Sequence, residues 1–275
     1  MALLCTKAFI QIYQQRKNVN RVLKRITKGV KSRYLYSFNF MYFYCNVFLT
    51  APTKTSVMKN DLMPGVKTPA KNDQIISYFA LRILIGATGI LLPLLLVTGN
   101  LIANSTLQIE FSVSDYYDNS TAGDILVGVL FVLGFFLMTY KGYDKTDSRV
   151  ANLGCVFALG VALFPTTSSN HIVHVMHFVF ALLLFTVFIV FSIYLFRKTD
   201  PNAIKTKQKD KRNKVYLACG IIMIACIAGI ALAMLVFEKA AEAYHLVFWF
   251  ESVALIAFGF SWIVKAEFLF MKDEE

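Results

Sequence analysis

Along this chain long apolar runs alternate with short polar ones, at lengths that suit a bilayer. Beyond residue 75, six sparsely charged stretches stand out, at about 76–102, 124–140, 151–165, 172–196, 215–237 and 246–270. A helix needs about 20 apolar residues to cross the hydrocarbon core. The pattern therefore predicts an all-α, polytopic membrane protein with a six-transmembrane-helix bundle at 76–270. The third run is short, which predicts a helix that tilts little or is shielded by its neighbours. Pro93 falls inside the first run and predicts a kink, while Arg82 near the start of that run is placed to snorkel. Gly128, Gly134, Gly154, Gly160, Gly220, Gly229 and Gly259 lie within the runs. Small residues let membrane helices approach closely, so a compact bundle is expected rather than a wide pore. No match is evident between runs one to three and four to six, which argues against an inverted-repeat transporter.

Residues 1–57 read differently. They hold ten Lys or Arg and no acid, then the aromatic run Tyr34–Thr50, which is near the lower length limit for a span. If that run crossed the membrane, every later loop would be inverted and the basic ones would face outward. The segment is therefore expected to be cytoplasmic or interfacial, or an upstream extension if Met58 is the true start. A polar linker at 58–75 follows, and 271–275 forms a cytoplasmic tail.

Composition supports the membrane class. The chain is 57% hydrophobic and 16% charged, with a mean hydropathy of +0.56. A soluble domain of this size could not bury that much apolar surface. The net charge of +11 resembles a nucleic-acid signal, but almost all the excess lies in 1–57 and the rest crowds into short loops. No nucleic-acid partner is expected, and membrane lipids are. Lys141, Lys145 and Arg149 follow the second run, and eight basic residues follow the fourth between Arg197 and Lys214. By contrast, Asn104–Gly123 carries Glu110, Asp115 and Asp118 without Lys or Arg. The bias places both termini in the cytoplasm of a multi-pass protein in the cell membrane, expected to be a bacterial inner membrane. Asn104-Ser-Thr and Asn119-Ser-Thr are then sequons in an outer loop. Cys5, Cys45, Cys155, Cys219 and Cys226 form no disulfide framework.

The candidate chemistry gathers at the outer ends of the helices. His171, His174 and His177 recur at intervals of three, about 60° apart around the fourth helix, so they share one face. Glu251 enters from the same side and lies at the depth of His177, roughly 7–8 Å below the interface. Ionisable groups inside a span are costly and mark functional sites. A zinc ion held by His171, His174 and His177 with Asp124 would be chemically reasonable, since imidazoles at i and i+3 can share a metal and an open position leaves an acidified water. Ser114, Asp115 and Glu251 are the catalytic candidates. A carboxylate would serve as ligand or base, and Ser114 would hold the substrate or an oxyanion. The same residues could instead form a structural polar network, with His and Glu hydrogen-bonded across helices, or a proton-coupled or ligand-gated element.

The stretches SVSDYYDN (Ser112–Asn119), GDILVGVLFVLGFFL (Gly123–Leu137), YKGYD (Tyr140–Asp144), ALGVALFPT (Ala158–Thr166) and FWFESVALIAFGFSWIVKAE (Phe248–Glu267) resemble a family of small, mostly bacterial multispan membrane proteins. The resemblance covers roughly residues 78–270. It implies a six-span domain and assigns no activity. In layout the chain is also loosely similar to the alkaline ceramidase and adiponectin-receptor superfamily of zinc-dependent membrane hydrolases. Those have seven spans and an H-x-x-x-H pair that this sequence lacks, so no catalytic residue is carried over. The expected function is an integral membrane protein with an outward-facing His/carboxylate pocket, in a non-enzymatic lipid-binding, sensory or assembly role. The alternative is a metal-dependent hydrolase acting on a lipid or envelope precursor.

Overall fold

The computed structural model describes residues 78–267, apart from 106, 143, 167, 169 and 200–205. The expectations for 1–57, 58–75 and 271–275 lie outside the described residues. The described chain is all-helical. Its elements are α1 (Tyr78–Asn104), a 3-10 turn (Ser114–Asp118), α2 (Ser120–Thr139), α3 (Lys145–Leu163), α4 (His171–Val190) continuing into a π-turn (Phe191–Leu195), α5 (Lys207–Val236), the short α6 (Glu238–Ala243) and α7 (Leu246–Lys265).

Five of these are long and apolar enough to cross a membrane: α1, α2, α4 with its π-turn, α5 and α7. The remaining expected run, the third, lies in α3, whose first five residues include Lys145, Asp147 and Arg149. Those charges keep α3 out of the apolar class although its latter half is almost wholly buried. Two helices begin well before the apolar residues that announced them. α3 starts six residues ahead of the expected boundary, where Asp144 accepts the N–H groups of Thr146 (2.8 Å) and Asp147 (3.0 Å). α5 starts eight ahead, where Thr206 Oγ1 accepts the Lys209 N–H at 3.1 Å. Side-chain acceptors at these positions satisfy backbone donors that a helix start leaves open. Pro93 sits buried within the continuous α1.

Consecutive helices pack side by side. α1 lies against α2 and α7, α3 lies between α2 and α4, and α5 lies against α7 and the end of α4. Glycine sets the tightest crossing. A methyl on Gly259 would collide with the Gly86 carbonyl, and one on Gly86 would reach within 2.6 Å of the Gly259 carbonyl, so α1 and α7 meet backbone to backbone. Across the centre Phe188 and Phe258 stack at 3.6 Å between ring centroids, which joins α4 to α7.

The two ends of the bundle differ chemically. At one end Lys198 binds Asp144 (2.9 Å) and Asp147 (2.6 Å). There too Arg82 Nη1 donates to the Lys265 carbonyl at 3.1 Å, and Lys209 Nζ donates to the Phe196 carbonyl at 3.0 Å. The segment 107–119 covers the other end and carries Glu110, Asp115 and Asp118.

Candidate functional site

The segment between α1 and α2 folds inward as a roof. Its 3-10 turn buries Tyr116 and Tyr117, and each ring is anchored by its hydroxyl. Tyr117 donates to the Ala162 carbonyl of α3 at 3.3 Å, and Tyr116 donates to the Gln108 carbonyl at 3.3 Å. Gly123 makes the fit possible, because a Cβ there would run into the Tyr117 carbonyl. The backbone adds a further tie, from Phe248 N–H to the Phe111 carbonyl at 2.9 Å. Aromatic bodies thus sit in the bundle while their polar tips find carbonyls, the usual requirement for a buried Tyr.

With the roof seated, Val113 and Ser114 face the interior. The Val113 N–H donates to Glu251 Oε2 at 2.7 Å. Ser114 Oγ lies 3.0 Å from His177 Nε2, and His177 Nδ1 lies 2.6 Å from the Phe164 carbonyl. A carbonyl only accepts, so Nδ1 carries the proton; in the neutral ring Nε2 then accepts the Ser114 hydroxyl. Thr166 Oγ1 completes the set by donating to the Ser114 carbonyl at 3.4 Å.

Beneath this polar rim lies a cavity of about 50 Å³. Ser114 and Glu251 bound it, together with Thr88 and Leu92 of α1, Leu130 of α2, Val161 of α3 and Leu184 of α4. The volume admits one or two waters or the end of a hydrocarbon chain. Its walls are otherwise apolar.

The expected residues separate here. Ser114, His177 and Glu251 are brought together. In one of the readings His and Glu pair directly across helices; instead each binds a successive residue of the roof, Glu251 to Val113 and His177 to Ser114. His174 is half-buried with its ring edge-on to Phe178 at 4.9 Å, and His171, the first residue of α4, is exposed. Steps of about 60° carry the three rings around a 120° arc, so only the deepest faces the bundle. Asp124 is exposed on α2. Among the described residues no three His, Cys, Asp or Glu side chains are grouped to hold a metal ion. The zinc set of His171, His174, His177 and Asp124 is not assembled. Asp115 is part of the roof's 3-10 turn, where burial raises its carboxyl above the usual range. Hydrogen bonds from Ser112 oppose that shift, and the charges of Glu110 and Asp118 add to it. The groups that sequence reasoning missed are the Val113 N–H and the Phe164 carbonyl, backbone atoms without a residue-type signal.

Comparison with family models, curated proteins and solved structures finds no match to this chain. The geometry alone carries the functional reading.

Proposed function

We propose that this is a six-span membrane protein whose outward-facing pocket takes up the apolar part of a membrane lipid under a polar rim. The observation that carries the reading is the roofed cavity, apolar along its walls and lined at its roofed end by Ser114 and Glu251. Apolar enclosures with a few convergent polar groups are the common form of ligand site. At its present size the cavity holds the end of a hydrocarbon chain.

Several features support the topology. α3 lies alongside α2 and α4, with Asp147 of its first turn bound to Lys198 and its Ala162 carbonyl bound to Tyr117. These contacts lie at opposite ends of the bundle, so α3 runs its full depth and counts as the sixth crossing despite its charged start. Basic side chains then collect on one side, which the positive-inside rule assigns to the cytoplasm together with both termini. In a bacterial inner membrane the roof would face the periplasm. The metal-dependent hydrolase reading has no assembled ligand set to support it.

Photo-crosslinking tests the pocket. The full chain in vesicles containing a diazirine-tagged acyl lipid should yield adducts on Leu92, Leu130 or Leu184. Adducts confined to lipid-facing residues such as Ile221 and Leu232 would overturn the proposal.

A further inference from the structure

We infer that Ser114 is a nucleophile and His177 its general base, acting on a neutral acyl ester held in the pocket; this rests on the lipid-pocket reading above. Three groups stand in series. The Phe164 carbonyl accepts from His177 Nδ1 at 2.6 Å, and His177 Nε2 stands 3.0 Å from Ser114 Oγ. Nucleophile, base and a group orienting the base, each within hydrogen-bond reach of the next, are the geometric signature of an activated hydroxyl. Here a backbone carbonyl takes the orienting place that a carboxylate holds in the familiar triad. His177 is 1% exposed, so bulk water does not compete for its nitrogens. Ser114 bounds the cavity and is therefore not enclosed by protein on every side, unlike a serine that serves packing alone.

The surroundings select the substrate class. Leu92, Leu130 and Leu184 offer an acyl chain apolar contact. Among the described residues no Lys or Arg lines the pocket, so an anionic group at the reacting centre would find no countercharge there, which favours a neutral ester over a phosphodiester. In the first step Ser114 Oγ bonds to the ester carbonyl carbon while its proton passes to His177 Nε2. The bond from that carbon to the alcohol oxygen then breaks, and the alcohol leaves with the proton from Nε2. In the second step water attacks the acyl-serine, gives a proton to His177, and the bond to Ser114 Oγ breaks as that proton returns to the serine. The sum is ester plus water giving acid plus alcohol.

The test uses the full chain in vesicles with a long-chain alkyl fluorophosphonate, the adduct being mapped by mass spectrometry. Labelling at Ser114 is expected, with none there in S114A, and a rate about 100-fold or more slower in H177Q. The thermal midpoint of S114A in detergent, close to that of the wild type, shows that the variant folds. A neutral p-nitrophenyl alkanoate should release a burst of one nitrophenol per wild-type chain that S114A lacks, a readout independent of whether H177Q folds. An unlabelled Ser114 in protein that still captures lipid in the pocket would overturn the inference alone. So would folded H177Q labelling at the wild-type rate. Loss of pocket capture in the wild type would remove the pocket and this chemistry together.

Discussion

Glu251 of α7 accepts the backbone N–H of Val113 at 2.7 Å, across 138 residues of sequence. A carboxylate within the membrane-spanning part of the chain is thereby spent on holding the roof. Replacing it tests that role. Glu251→Gln keeps an acceptor and should leave the thermal midpoint in detergent nearly unchanged. Glu251→Ala strands the Val113 N–H and should cost about 1–3 kcal/mol, with hydrogen exchange rising first in residues 107–119. Equal stability of the two variants would mean that the bond contributes nothing.

Two glycines of α2 make a matched pair. Gly123 abuts the Tyr117 carbonyl, whereas a methyl on Gly128 would meet nothing within 4 Å. Gly123→Ala should push the 3-10 turn away and destabilise by about 1–3 kcal/mol. Gly128→Ala should be neutral or stabilise by up to about 1 kcal/mol, since alanine suits a helix interior better. Thermal unfolding of both variants checks the contrast.

At the basic end the Asp144 carboxyl is held at about 2 rather than 3.8, chiefly by its hydrogen bond from Lys198. Burial works against the Lys198 ammonium, but Asp147 and Asp144 outweigh it and raise the lysine above 10.5. A lowered acid contributes stability in full above its unfolded value and loses it as pH falls through its folded value. A raised base contributes in full below its unfolded value and loses it only as pH climbs through the folded one. The clasp should therefore hold from about pH 4 to pH 10. Asp144→Asn keeps a helix-capping side chain and removes the charge. The variant should melt below the wild type at pH 6, and the gap should close between pH 3.8 and about 2. A gap independent of pH over that range would refute the electrostatic account.

Orientation can be read by labelling single cysteines in a background with the native ones replaced. Ser105→Cys should react with an impermeant maleimide added outside intact cells, and Asp210→Cys only after the membrane is opened. The reverse pattern would invert the proposed topology.

The apolar runs announced the helices well because bilayer thickness imposes a length on them. Their starts were less legible. α3 and α5 open with charged turns that carry no apolar signal, and a cap such as Asp144 or Thr206 is one polar residue among many. Glu251 and His177 were matched in depth by counting residues along two helices; Glu251 lines the pocket, and His177 meets it through Ser114. What counting could not give is the loop between them. That Tyr116 and Tyr117 turn inward depends on Gly123 leaving room, a contact between residues that periodicity treats as belonging to separate elements. The histidine triplet fails for a related reason. Spacing fixes the angle between His171, His174 and His177 but not which of them faces protein, and the neighbours of α4 admit one ring.

The placement of α5 has a consequence of its own. It lies against α7 and the end of α4, lends no residue to the cavity wall, and leaves Ile221, Ile222, Ile224 and Leu232 exposed. The chamber and its brace are thus separate parts. Mutational drift along the outer flank of α5 can proceed under the sole demand of staying greasy, while the inward flanks that wall the chamber must keep its shape.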